Sequence, residues 1–431
     1  MDKEKVYDYC NQIDGLVQKI RDEVDASVDP EPEEEDIVDF ANELQPAITA
    51  GGHVAIAVGL KCHNGGGYIF NTPSTKLRGL GDNKVSSDTN PALRVDTTVD
   101  DIIIESMELA ASAYDSVIRI GKNDSSQTAV EQAPDLVRIH AVVIKQHRGK
   151  RGIEINGSNV EIIDCDIRDV YAPSKQDSQA IWIGNAPGPV VIEGGYFEAA
   201  SECLLVGGDA MKIPNCRPTG IIIRDSTFTK KLEWKGDAAI PVKNILELKD
   251  GHDVLIENCD LSYCWPSGQD GYAFMLTPTR GGSLKNVVIK DCRVTEVSAI
   301  VNITGRDSED TEKLYRSQIE FIGGNYRTNK IVMGGSGRFC LIGRGPEWVK
   351  FNQVYTRHEG SSFIDCSDKE VIEQLHVIGC DWNYGTYGIR IGGYNHGDNQ
   401  LGLIKDLRVE GNTITGAHSQ FKTRYPNNTY L

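Results

Sequence analysis

Val160-Glu161-Ile162-Ile163-Asp164-Cys165-Asp166-Ile167 holds the unit on which the reading of this chain turns: apolar, any, apolar, two of any kind, small, any, apolar. The same unit recurs as Ile102-Ile104-Met107-Leu109, Val137-Ile139-Val142-Ile144, Val190-Ile192-Gly195-Phe197, Ile221-Ile223-Ser226-Phe228 and Val254-Ile256-Cys259-Leu261. It continues as Val287-Ile289-Cys292-Val294, Ile319-Phe321-Gly324-Tyr326, Val349-Phe351-Val354-Thr356, Leu375-Val377-Cys380-Trp382 and Leu407-Val409-Asn412-Ile414, eleven copies in all. Gaps between successive second apolar positions run from 23 to 35 residues and centre near 30, so a constant scaffold carries loops of varying length. Between copies lies a further alternating strand, as in Ile153-Ile155, Ile181-Ile183, Leu204-Val206, Leu246-Leu248, Phe274-Leu276 and Val301-Ile303.

Strands of three to five residues are too short for a sandwich. Stacked in parallel, with alternate side chains turned inward, they close into a coil. The expected fold is all-β: a right-handed, single-stranded parallel β-helix (solenoid) of about ten to eleven coils, occupying residues 53–418. Cys165, Cys259, Cys292 and Cys380 share the small position with Gly195, Ser226, Gly324 and Asn412, which places them in one ladder at a corner of the coil. The eleven cysteines therefore read as buried thiols, with no Cys/His spacing for a metal.

Upstream, Val6, Cys10, Ile13, Val17, Ile20 and Val24 alternate steps of four and three, the seam of a coiled coil over residues 1–28. β-Branched residues at both seam positions favour a homotrimer. Residues 29–36 form an acidic, proline-containing hinge, and residues 37–52 a capping helix with Ile37, Phe40, Leu44 and Ile48 on one face. Residues 419–431 are left as a C-terminal tail.

A net charge of −17, from 62 acidic and 45 basic residues, argues against a surface that neutralises nucleic acid. No run of about 18 apolar residues and no apolar segment after Met1-Asp2-Lys3-Glu4-Lys5 is present, so neither membrane insertion nor a signal peptide is expected and synthesis is assigned to a cytoplasm.

From about Ala47 to Ala417 the repeat resembles the pectate-lyase-like β-helix superfamily, with Gly51-Gly52-His53-Val54-Ala55-Ile56 and Leu77-Arg78-Gly79-Leu80-Gly81 looking like its first turns. A β-helix joined to an N-terminal oligomerisation helix also resembles bacteriophage tail spikes and related virion proteins. The first resemblance implies architecture rather than chemistry. Of the Asn-Thr-Asp, Asp-Asp, Gly-His-Gly and Arg-Ile-Lys motifs of its polygalacturonases, only an Asp-Asp pair, Asp100-Asp101, is present, and the Arg-x-Pro-x-x-Arg segment of pectate lyases is missing.

A glycosidase needs only two carboxylates at the right separation, and neighbouring coils can supply them without a motif. Long insertions at 168–179, 229–243 and 264–271 follow the same strand position and are expected to wall one groove. They offer Asp169, Asp177, Glu198, Glu202, Asp237 and Asp270 as candidate catalytic acids, and Tyr171, Trp234, Trp265 and Tyr272 as candidate glycan platforms. His140, His147, His252 and His376 read as surface or turn residues, and the runs Gly65–Gly67 and Met333–Gly337 as turns rather than phosphate cradles.

The leading functional expectation is an oligomeric virion protein, tail-spike or fibre-like, located in the virion. It attaches to other virion proteins through its N-terminus and presents a rod to host surface polysaccharide, without cofactor. The chain ends about fourteen residues past its last repeat, which argues against a complete receptor-degrading spike. The rival expectation is a polysaccharide hydrolase or lyase acting through carboxylates in the groove.

Overall fold

A computed structural model describes residues 36–112, 114–124, 127–172, 176–210, 213, 216–312, 314–366 and 368–431. The coiled-coil seam from Val6 to Val24 and most of the acidic hinge lie outside these residues. The rest is a right-handed parallel β-helix of three sheets, each strand hydrogen-bonded to its counterparts one coil before and after. Sheet A, with 14 strands from Asp36–Val38 to Ile404–Glu410, holds the first two apolar positions of the repeat. Sheet B, also 14 strands, runs from Lys61–His63 to Thr429–Tyr430 and holds the last. The intervening strands, Tyr68–Phe70 to Gly388–Ile391, form the 12-stranded sheet C. Thirteen steps along sheet A at about 4.8 Å each give a rod roughly 60 Å long.

Inward side chains stack in register. Ile139 lies over Ile162, Ile192 and Ile223 in sheet A, and all four are fully buried. Burying each such side chain contributes roughly 1.5–3 kcal/mol before entropy. Towards the C-terminus the column becomes aromatic: Phe339 stacks on Phe363 at 4.6 Å and Phe363 on Trp382 at 4.4 Å.

The corner between sheets A and B explains the middle of the repeat. Its first residue takes a left-handed backbone, φ 53° at Asp164, 51° at Asp225, 50° at Asn258 and 50° at Asp291, a conformation Asp and Asn tolerate better than most residues. The small residue that follows points inward, and the Cys165 thiol donates to the carbonyls of Ile163 and Ile139 at 3.4 and 3.6 Å. Gly195 and Gly324 occur where the next inward sheet B residue is a large ring; a Cβ there would lie 2.3 Å from the Phe197 ring and 2.7 Å from the Tyr326 hydroxyl. All ten described cysteines are buried and unbridged, and among the described residues no group of His, Cys, Asp and Glu is arranged to hold a metal.

Both ends are covered. The helix Leu44–Ala50 buries Leu44 and Ile48, and the Gln45 amide pairs with both backbone groups of Ile69, at 2.8 and 3.0 Å. The capping helix is shorter than expected: Ile37 lies in a sheet A strand, and Ile37 and Phe40 are 58 and 65% exposed, because the chain is already extended there and enters its first coil before the helix. At the other end, residues 419–431 continue the fold. Helix Ser419–Arg424 sets Phe421 against Trp382 and Tyr384, and Thr429–Tyr430 pairs with Thr413–Thr415. His147 is buried rather than superficial, its ring nitrogens 3.1 and 2.8 Å from the Ala111 and Asp115 carbonyls, and His376 is largely buried beside Asp406.

Candidate functional site

The connections from sheet B to sheet C vary most in length. Residues 171–178, 230–245, 265–271 and 329–339 project from one flank, whereas on the other coils the same passage is one to five residues long. The first three are the insertions the sequence points to, the fourth is not, and the parallel register brings all four to the same edge of sheet C.

On that face, strand alternation turns the residue between two inward aliphatics outward. Ile153-Glu154-Ile155, Ile181-Trp182-Ile183, Leu204-Leu205-Val206 and Leu246-Glu247-Leu248 thereby align Glu154, Trp182, Leu205 and Glu247 in one column, followed by Met275. Arg151, Gln179 and Glu202 form a second ladder beside it.

Glu154 accepts from Ser116 Oγ at 2.7 Å, Arg151 Nη1 at 2.7 Å and Asn156 Nδ2 at 3.3 Å, and Arg151 lies 3.8 Å from the centre of the Trp182 ring. Burial pushes the Glu154 carboxyl up, but Arg151 and the Ser116 hydroxyl outweigh it, and the net pKa is below the ordinary glutamate value. The Trp182 indole donates to the Gly207 carbonyl at 2.9 Å, completing a tightly tied cluster.

Glu202 sits two coils away in a different environment. It is 2% exposed and accepts from Gln179 Nε2 at 2.8 Å. Its cation, Lys243, is 3.7 Å away and closer to Asp177, at 2.5 Å. Burial, reinforced by Glu247 and Asp177, pushes the Glu202 carboxyl up to about 8 against the opposing pull of Lys243 and Gln179, so it keeps its proton at neutral pH. Glu247 pairs with Lys249 at 3.1 Å and accepts from Asn244 Nδ2 at 3.1 Å. The buried Gln179 Oε1 and Ser178 Oγ beside Glu202 have no hydrogen-bond partner. Next to this pair, Glu247, Lys249, Gln269, Asp270, Met275, Thr277 and Thr279 line an open depression of about 400 Å³.

Of the six candidate acids, three adjoin the groove: Glu202, Asp177 on Lys243, and Asp270 at the rim of the depression. Asp169 and Glu198 make a separate cluster on sheet B, where Lys231 binds Asp169 at 3.1 Å and Glu198 accepts the Asp169 amide at 2.9 Å; burial raises the Glu198 pKa. Asp237 is an exposed turn residue that accepts the Ala239 amide at 2.8 Å.

The aromatic candidates are placed differently from the expectation. Trp234, Trp265 and Tyr272 are 4, 3 and 1% exposed, the first two because their long loops fold back and Tyr272 because it opens the buried sheet C strand Tyr272–Leu276, so none offers an open face to a sugar. Tyr171 is half-buried, 6.3 Å from Trp234. Loop reasoning also misses Glu154, Arg151, Trp182 and Glu247, which alternation within sheet C would have found.

No family model and no curated protein matches the chain. Among solved structures, a mannuronic acid specific polysaccharide family 6 lyase from human gut microbiota aligns over 93% of this chain and 91% of its own, at 10% identity and a TM-score of 0.58. The catalytic domain of a GH87 α-1,3-glucanase aligns over 90% of this chain and 70% of its own, at 12% identity and a TM-score of 0.54. The tailspike of E. coli bacteriophage HK620 in complex with a pentasaccharide aligns over 91% and 65%, at 14% identity and a TM-score of 0.53. At these identities the likeness concerns the fold alone, a right-handed parallel β-helix.

Proposed function

We propose that this protein binds polysaccharide along the outer face of sheet C, between the loops that wall it. The observation that carries this reading is the open depression of about 400 Å³ lined by Glu247 and Asp270. Its lining has the chemistry of sugar recognition: Glu247, Asp270 and Gln269 accept from hydroxyls, Thr277 and Thr279 donate and accept, and Met275 supplies an apolar floor. All three structural neighbours described above are named for polysaccharide cleavage or oligosaccharide binding, which supports the same reading.

The buried carboxyl pair favours hydrolysis as the accompanying activity. Glu202, protonated at neutral pH, would give its proton to the glycosidic oxygen. Glu247 would act as the carboxylate that activates water or attacks the anomeric carbon.

In its finer form the proposal makes the chain the rod of a trimeric virion spike or fibre, attached through residues 1–28. The seam from Val6 to Val24 supports this part. Light scattering before and after deletion of residues 1–28 tests it: trimer to monomer is expected, and a monomer in both forms would defeat it.

For the binding reading, the protein is titrated with polysaccharides from bacterial envelopes and with plant and algal glycans. New reducing ends and ultraviolet absorbance of unsaturated products are followed alongside. Saturable binding to at least one glycan, abolished by replacing Glu247 and Met275 together, is expected. Neither binding nor cleavage across the panel would overturn the proposal.

A further inference from the structure

The charge arrangement around the sheet C depression selects among sugars. Glu247 and Asp270 line it, with Asp270 exposed, and the exposed Asp177 and the buried, protonated Glu202 adjoin Glu247. The two cations whose contacts place them there are already engaged. Lys243 lies 2.5 Å from Asp177 and 3.7 Å from Glu202, and Lys249 lies 3.1 Å from Glu247. A uronate or sialate brings one carboxylate per charged sugar and needs a cation, or a dense set of free donors, to receive it. Here it would meet carboxylates.

An uncharged sugar finds a matching set. Its hydroxyls can donate to Glu247, Asp270 and the Gln269 carbonyl and accept from Thr277 and Thr279, while a C–H face rests on Met275.

We infer that this groove takes a polysaccharide built of uncharged sugars, neutral or N-acetylated hexoses, and rejects polyuronates. The inference rests on the glycan-binding reading above and adds the substrate class.

Calorimetric titration with a soluble β-glucan, a galactomannan and a chitin oligosaccharide, against polygalacturonate and polymannuronate at low salt, tests it. At least one uncharged glycan is expected to bind ten-fold or more tightly than either polyuronate. Replacing Asp270 by Lys is expected to raise polyuronate affinity about ten-fold, since Asp270 is exposed and the change reverses one charge at the rim. Polyuronates binding as tightly as the uncharged glycans, or unaffected by Asp270→Lys, would overturn the substrate assignment while leaving glycan binding intact. No binding by any of the five probes would overturn both.

Discussion

Two buried glutamates on the outer face of sheet C differ in what surrounds them. Glu154 is tied to Arg151, Ser116 and Asn156, and its pKa is lowered. Glu202, two coils on, has a shared and more distant cation, a second glutamate nearby, and a pKa of about 8. Burial acts on both in the same direction; whether a cation is in direct contact decides the outcome. One end of the face is therefore a charged structural clamp, and the other stores a proton next to an open depression. The two ends also respond to pH in opposite senses. Stability contributed by Glu154 is present above the unfolded glutamate value near 4.5 and is lost as pH falls through its lower folded value. Glu202 favours the fold while protonated, so its contribution declines as pH rises from about 4.5 towards 8.

The largest effect is expected from breaking the clamp. Arg151→Ala leaves Glu154 buried without its cation and should cost about 3–5 kcal/mol, measured by denaturant unfolding near neutral pH. A cost near zero would mean that the clamp is not formed. Glu202→Gln should act the other way: it removes the penalty of ionising a buried carboxyl and flattens the decline in stability between pH ~5 and ~8, a gain on the order of a few kcal/mol at the alkaline end. Any glycan cleavage should fall by a factor of about 10² or more in the same variant. A smaller loss, about 1–2 kcal/mol, is expected for Trp182→Phe, which leaves the Gly207 carbonyl without its indole donor and weakens the stack under Arg151. The smallest is Asp177→Asn: its ion pair with Lys243 is partly exposed, so stability should change by less than about 1 kcal/mol. The Glu202 midpoint should nevertheless fall, because a repelling charge is removed and Lys243 is freed.

Sheet topology was legible in the sequence because the repeat is an inward-facing pattern with an αL-tolerant corner, and every copy from Ile102 to Ile414 lies where that pattern puts it. The coils before Ile102 were read only as isolated turns. There Thr75 stands at the first apolar position, opposite Ile102, and Gly79 takes the corner facing Ser106, where a Cβ would lie 2.4 Å from the Ser106 carbonyl oxygen. The flank of the groove was readable from loop length. The acids and rings on it were not, since exposure of a loop residue depends on how the loop folds back, and Trp234 and Trp265 fold back into the core. Glu247 and Glu154 were hidden in plain alternation: each is the outward residue of a strand whose inward neighbours drew the attention.

Difference infrared spectroscopy of the wild type against Glu202→Gln, titrated from pH ~5 to ~10, addresses the contrast between the two glutamates most directly. The account predicts a protonated-carboxyl band at neutral pH that vanishes with a midpoint near 8 and is absent from the variant. A difference spectrum with no such band at neutral pH, its carboxylate signal already complete near pH 5, would contradict it.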